Sequence, residues 1–115
     1  MRLLAGLFLI AHGLVHLGVW VSPFDPAKAP FNPCHSWVLA HIGKNSTARP
    51  IAVTVAITCA ATFSVAGIGV LVDSAWATGL AIGSALISLL LTAAYFHRWL
   101  VFNVAINLVI ISIAQ

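Results

Sequence analysis

Charge is almost missing from this chain: five Lys or Arg and two Asp in 115 residues, with no glutamate at all. A soluble domain has about a quarter of its residues charged, so this surface could not stay dispersed in water as a monomer. Soluble enzymes and disordered proteins are excluded by that one shortage. The net charge is +3, but the basic residues stand singly at the ends of apolar runs instead of sharing a face. That pattern excludes a nucleic-acid interface. Sulfur is equally sparse. Cys34 and Cys59 form no Cys-x-x-Cys pair, which argues against thiol–disulfide relays and mercury-type carriers, and Met1 is the only methionine, so a thioether copper path is excluded. No carboxylate lies within an apolar run, as a proton-coupled multidrug exporter would need. No Ser-His-acid set and no glycine-rich phosphate loop is found.

What remains is apolar: 62% of the residues are hydrophobic. The few charges fall at Arg2, Asp25, Lys28, Lys44, Arg49, Asp73 and Arg98, leaving four long uncharged stretches. Roughly 20 apolar residues cross a bilayer as a helix. The spacing therefore predicts an all-α integral membrane protein, a single four-helix antiparallel bundle with spans at about 3–21, 50–72, 74–97 and 99–115. The first stretch has the early arginine of a secretory signal, but His12, His16 and Trp20 interrupt it and no small-x-small cleavage site precedes Pro23. It reads as a retained span. The connection 22–49 is rich in proline (Pro23, Pro26, Pro30, Pro33) and cannot hold a continuous helix. Within it, Trp37, Val38, Leu39 and Ile42 predict a short interfacial segment. Asn45, Ser46 and Thr47 are candidate caps for the second span, and Asp73 or Ser74 for the third.

Trp20, Trp76 and Trp99 fall at predicted helix ends and Trp37 in the interfacial piece, where indoles anchor at headgroup level. Four spans put the termini and Asp73 on one side. Lys28, Lys44, Arg49 and Arg98 lie on the other side. The positive-inside tendency then places the long connection in the cytoplasm and both termini outside the cell membrane.

Polar groups in hydrocarbon cost free energy unless they are paired. His12 and His16 share one face of the first span, four residues apart. Thr54, Thr58 and Thr62 repeat that spacing in the second, and Asn103 and Asn107 in the fourth. The third has a small or polar stripe of Ala77, Ala81, Ser84, Ser88, Thr92 and Tyr95. These faces are expected to meet inside the bundle, with Gly79 and Gly83 allowing a close neighbour. His35, His41 and His97 fall in the same half of the molecule as His12 and His16. The candidate ligand-binding residues are His12, His16, His97, Asn103 and Asn107. An imidazole and amide cluster suits several tasks. It can join helices in register, hold an organic ligand such as a quinone, or ligate haem or a metal. For metal, His-x-x-x-His supplies only two ligands and no carboxylate or thiolate lies at matching depth.

The run from Arg2 to Gly18, with Gly6-Leu7 and His12-Gly13-Leu14-Val15-His16-Leu17, resembles the opening of DoxX-like four-helix membrane proteins. The chain is also similar to uncharacterised four-span actinobacterial proteins with His-Gly-Leu-x-His-Leu in the first helix. Further matching features are Val38-Leu39-Ala40, Ala48-Arg49, the run from Ala66 to Leu71, and Asn107-Leu108-Val109-Ile110. His16 stands where lysine is common in relatives. The resemblance implies membrane redox work linked to quinone, or association with an oxidoreductase, with His12, Gly13 and His16 as the residues at stake. The expected function is a small multipass protein that holds a quinone-like ligand or serves a membrane oxidoreductase. The alternatives are a non-catalytic accessory subunit of a larger complex or homo-oligomer, and haem or metal carriage. No catalytic residue is assigned.

Overall fold

Five α-helices and no strand make up the computed structural model, which describes residues 1–115. They are α1 (Arg2–His16), α2 (Trp37–His41), α3 (Ala48–Leu71), α4 (Ala77–Ala94) and α5 (Val101–Ile113). A π-helical turn, Leu17–Val21, carries α1 onward past His16, and a 3-10 turn, Arg98–Leu100, leads into α5. Arg2–Val21, Asn45–Leu71 and Ala77–Ala94 are long and apolar enough to cross a membrane, with mean hydropathies of 1.9, 2.1 and 1.8. Arg98–Ile113 is apolar but shorter. Only 29 of the 115 residues are buried, so most of the apolar side chains face outward, among them Leu4, Phe8, Ile57, Ile68, Leu90 and Phe102. Helices apolar on every side suit a hydrocarbon surround.

The helices pack in a chain, α1 on α3, α3 on α4 and α4 on α5. α1 and α3 run in opposite directions, which charge fixes at both ends. Arg2 pairs with Asp73 at 2.9 Å beyond the end of α3. At the other end, the Arg49 guanidinium donates to the carbonyls of Trp20, Val21 and Ser22. Those carbonyls close the first helix and have no partner within it, so a cation there satisfies both their lone pairs and the helix dipole. The end of α4 is closed in the same manner from the connection. Ser36 Oγ donates to Ala94 O and Trp37 Nε1 to Ala93 O, each at 2.7 Å.

Small residues set how closely α1 and α3 approach. A Cβ on Gly67 would lie 2.6 Å from Gly6 O, and one on Gly6 would lie 2.8 Å from Gly67 O. About two helical turns further along α1, a Cβ on Gly13 would meet the Phe63 Cβ at 2.8 Å. Close backbone approach of this kind is what small residues provide between membrane helices. The α3 face turned inward is Ala52, Ala56, Cys59, Ala60, Phe63, Ala66 and Gly67.

Several expectations change. The close glycine contact is Gly6 with Gly67, whereas Gly79 and Gly83 have nothing within 4 Å of an added Cβ. Thr54 and Thr58 are exposed, and their hydroxyls bond carbonyls of their own helix. That local bond satisfies a hydroxyl without a neighbouring helix, so a threonine stripe does not mark an inner face. Trp20 is a core residue at 2% exposure, edge-on to Phe31 and Tyr95, and is not an interfacial anchor. Trp37, Trp76 and Trp99 are exposed. Neither α3 nor α4 has a side-chain cap from the expected residues. Asn45 Oδ1 instead accepts from Ser36 N, and Asp73 takes a positive φ of 57° in the corner, a conformation that Asp tolerates. Cys34 and Cys59 are free thiols.

The glycine contacts yield a direct expectation. Gly67→Leu forces α1 and α3 apart and lowers the thermal stability of the detergent-solubilised protein by about 2 kcal/mol or more. Gly83→Leu enters open space and leaves the melting temperature nearly unchanged.

Candidate functional site

Helix α4 brings the polar residues together through one hydroxyl. Ser88 is fully buried, and its Oγ meets three side chains from two other helices. His16 Nε2 of α1 lies 2.8 Å away, with Asn107 Nδ2 at 3.0 Å and Asn103 Nδ2 at 3.2 Å, both from α5. Thr92, one turn along α4, accepts from Asn103 Nδ2 at 2.6 Å and donates its own hydroxyl to the Ser88 carbonyl at 2.9 Å. The i, i+4 spacing of Ser88 with Thr92 and of Asn103 with Asn107 makes two matched polar stripes possible.

The donors and acceptors of this cluster can be assigned from their partners. Asn107 Nδ2 lies 2.8 Å from the Asn103 carbonyl, which only accepts, so the Asn107 amide has one permitted orientation. Asn103 Nδ2 must be the donor to Thr92, because the Thr92 proton is engaged by the Ser88 carbonyl. Ser88 Oγ has two lone pairs, and both accept from the two amides. Its proton therefore goes to His16 Nε2. His16 Nδ1 lies 3.0 Å from the His12 carbonyl and carries the ring proton. His16 is thus held as one neutral tautomer, with both nitrogens engaged.

His12 differs. It is 6% exposed, its ring packs edge-on to His16 and Phe63, and Nε2 is buried with no hydrogen-bond partner. The Asn107 side chain lies beside it, and Asn107 Oδ1 is the other buried atom without a partner. Two orphaned polar atoms in one place are rare in a folded interior and invite a reason.

His12 also forms part of the wall of a cavity. Because α1 packs on α3 and not closely on α5, an open-sided groove of about 420 Å³ separates α1 from α5. Phe8, Val15, Trp20, Trp99, Phe102 and Ile106 give it apolar walls, and its polar residues are His12, His16 and Asn103. The π-helical turn contributes Val19 and Trp20 to this wall. Such turns are frequent at functional sites, because the extra residue re-aims the side chains around it. A second cavity of about 350 Å³ lies under the connection and shares Val19 and Trp99 with the first.

Of the five candidates, His16, Asn103 and Asn107 converge on Ser88, and His12 adjoins them. His97 does not join. It sits at the corner before α5, where its ring stacks on Phe31 and Nδ1 accepts from Trp99 N. His35 and His41 are exposed. No group of three His, Cys, Asp or Glu side chains is placed to hold a metal ion. Comparison with protein-family models, curated proteins and solved structures finds no match to this chain.

The sequence pointed to a polar stripe on the third span but not to Ser88 as its centre, nor to Phe63 as the ring packed against both histidines. The signal available was depth: Ser88 and His16 stand at similar distances from the same end of their helices.

Ser88→Ala removes the shared acceptor and strands two amides and an imidazole. It is expected to destabilise the protein by about 1–3 kcal/mol, read by thermal unfolding in detergent. Ser112→Ala, which loses only a bond to the carbonyl of Leu108 in its own helix, is the control with little change.

Proposed function

We propose that this chain is a multipass membrane protein of DoxX-like type that holds a lipid-soluble, ring-headed, quinone-like ligand in the groove between α1 and α5. In this reading α5 is the fourth span of an antiparallel four-helix bundle, and the proline-rich connection covers the cytoplasmic end. Both termini then lie outside. The observation that carries the reading is His12. It is an almost fully buried imidazole with an unpartnered nitrogen, at the wall of a mostly apolar cavity. Ligand sites of about 300–1,000 Å³ typically combine apolar walls with a few placed polar groups. Phe8, Trp20, Trp99 and Phe102 offer faces to a ring. The open side of the groove leaves room for an acyl or isoprenoid tail among the lipids.

A second reading has its own support. His16, Asn103 and Asn107 are engaged with Ser88, as side chains joining helices would be. In that reading the protein is a non-catalytic accessory subunit whose cluster only fixes helix register. Haem or metal carriage is a weaker fit, since both His16 nitrogens are engaged and His97 lies apart.

Val15→Trp separates these readings, because Val15 is an exposed wall residue outside the polar cluster. The wild-type protein, extracted from membranes and analysed by mass spectrometry, is expected to carry close to one equivalent of a quinone-like lipid. The variant is expected to keep its melting temperature and lose that lipid. Wild-type protein with no more quinone-like lipid than protein-free micelles of the same membrane contradicts the ligand reading and leaves the accessory subunit.

A further inference from the structure

The groove does not end at His12. On α1 and the turn that follows it, Ala5, Phe8, His12, Val15 and Val19 line the cavities. Opposite them stand Trp99, Phe102, Ile106, Val109 and Ile113, on α5 and the turn that leads into it. Both rows step alternately by three and four residues, which is one face of a helix. Matched rows of this kind ordinarily interlock, but α1 and α5 do not pack closely, and a slot is left between them. Beyond Phe8 the slot continues toward the chain termini as a third cavity of about 260 Å³. Phe8 is the one residue that lines both.

Polarity falls along the slot. The cavity under the connection has Ser22, Asp25 and Lys28 on its wall. The middle has His12, His16 and Asn103, and beyond Phe8 the only polar side chain is Thr78. A ring placed at His12 and Asn103 has two directions for a tail. Toward the connection, hydrocarbon would press on the Asp25–Lys28 pair, 3.7 Å apart, and desolvate it. Toward the termini it meets Ala5, Leu9, Val109, Ile110 and Ile113, over about 10 Å of α1 between His12 and Ala5. Lipid is as apolar as this end of the slot, so escape from water does not decide what fills it. An empty slot forfeits dispersion contacts. A tail tethered to a bound ring fills it at a far higher effective concentration than a free acyl chain.

We infer that the ligand is a single-tailed lipid whose ring stays at the level of His12 while its tail runs along the slot, past Phe8 and toward the termini, before its far end reaches the lipids. This inference rests on the groove being a ligand site. The ligand then has one flexible hydrocarbon tail on a flat head, in place of the paired chains of a phospholipid. A slot walled by one row of side chains on each helix takes one chain. Phe8, stacked on His12 with ring centroids 6.1 Å apart, stands where head and tail join.

The test uses a tritiated trimethylbenzoquinone whose decyl tail ends in a photoreactive diazirine, bound to the full chain in lipid nanodiscs. Retained tritium is counted against protein-free nanodiscs, and adducts are mapped by tandem mass spectrometry with and without excess untagged decyl quinone. Label is expected on Val109–Ile113 and Ala5–Leu9, and the untagged quinone is expected to abolish it. Val109→Trp, at an exposed wall residue of the third cavity, is expected to lose that label and keep the tritium. Three results overturn the tail path and leave the groove as a ligand site. One is competable label on residues 22–33 or on outward residues such as Leu14 and Leu108. The others are retained tritium with no competable label, and unchanged label in Val109→Trp. Tritium no higher than in protein-free nanodiscs overturns the ligand reading and this inference with it.

Discussion

The Ser88 hydroxyl is the contact on which the arrangement turns. It is one oxygen at the centre of α4, and α1 and α5 both reach it, the first through His16 and the second through two asparagines. Away from water, a bond to Ser88 that is lost is not replaced by solvent, so the bonds specify position more than they add energy. α1 is held along its length by α3, through Gly6, Gly13 and Gly67. α5 is held by α4. Ser88 is the place where the two outer helices answer to the same atom without packing on each other, and the groove between them follows from that.

The same geometry divides two histidines that look equivalent in the sequence. His16 is locked by its partners on both nitrogens, while His12, one turn deeper, lines the groove and has a buried nitrogen without a partner. One turn of helix therefore separates an imidazole bonded through both nitrogens from one with an unpartnered nitrogen. The surroundings reinforce the difference. Phe63 packs edge-on to His12, and Phe8 lies parallel to it with ring centroids 6.1 Å apart, so the ring is fixed in place without its nitrogens being bonded. At the outer end, Arg49 holds the carbonyls of the π-helical turn and so fixes where Trp20 closes the groove.

The sequence made the helical class and the long apolar helices legible, because charge is costly in hydrocarbon and its few occurrences mark helix ends. The α4 stripe was legible too: Ala77, Ala81, Ser84, Ser88, Thr92 and Tyr95 are all buried. What failed did so for identifiable reasons. Thr54 and Thr58 satisfy themselves on their own helix, so polarity alone did not reveal which face turns inward. Trp20 sits at a helix end like the other indoles, but the connection folds Phe31 over it, and nothing local records that. The glycine contact fell at Gly6 and Gly67 because close approach needs small residues on both helices at one depth, which a single-helix motif does not encode. The partnership of His16 with Ser88 spans 72 positions and depends on the relative heights of two helices, which the loops decide.

The assignment of protons around Ser88 is the central claim, and nitrogen magnetic resonance of histidine-labelled protein in lipid tests it most directly. The account predicts that His16 is neutral, with Nδ1 protonated and Nε2 accepting a hydrogen bond, and that Ser88→Ala removes the hydrogen-bond shift at Nε2 while the His12 carbonyl keeps the proton on Nδ1. A protonated Nε2 on His16, alone or together with Nδ1, would contradict it, since Ser88 could not then accept from both asparagines while giving its proton to the ring.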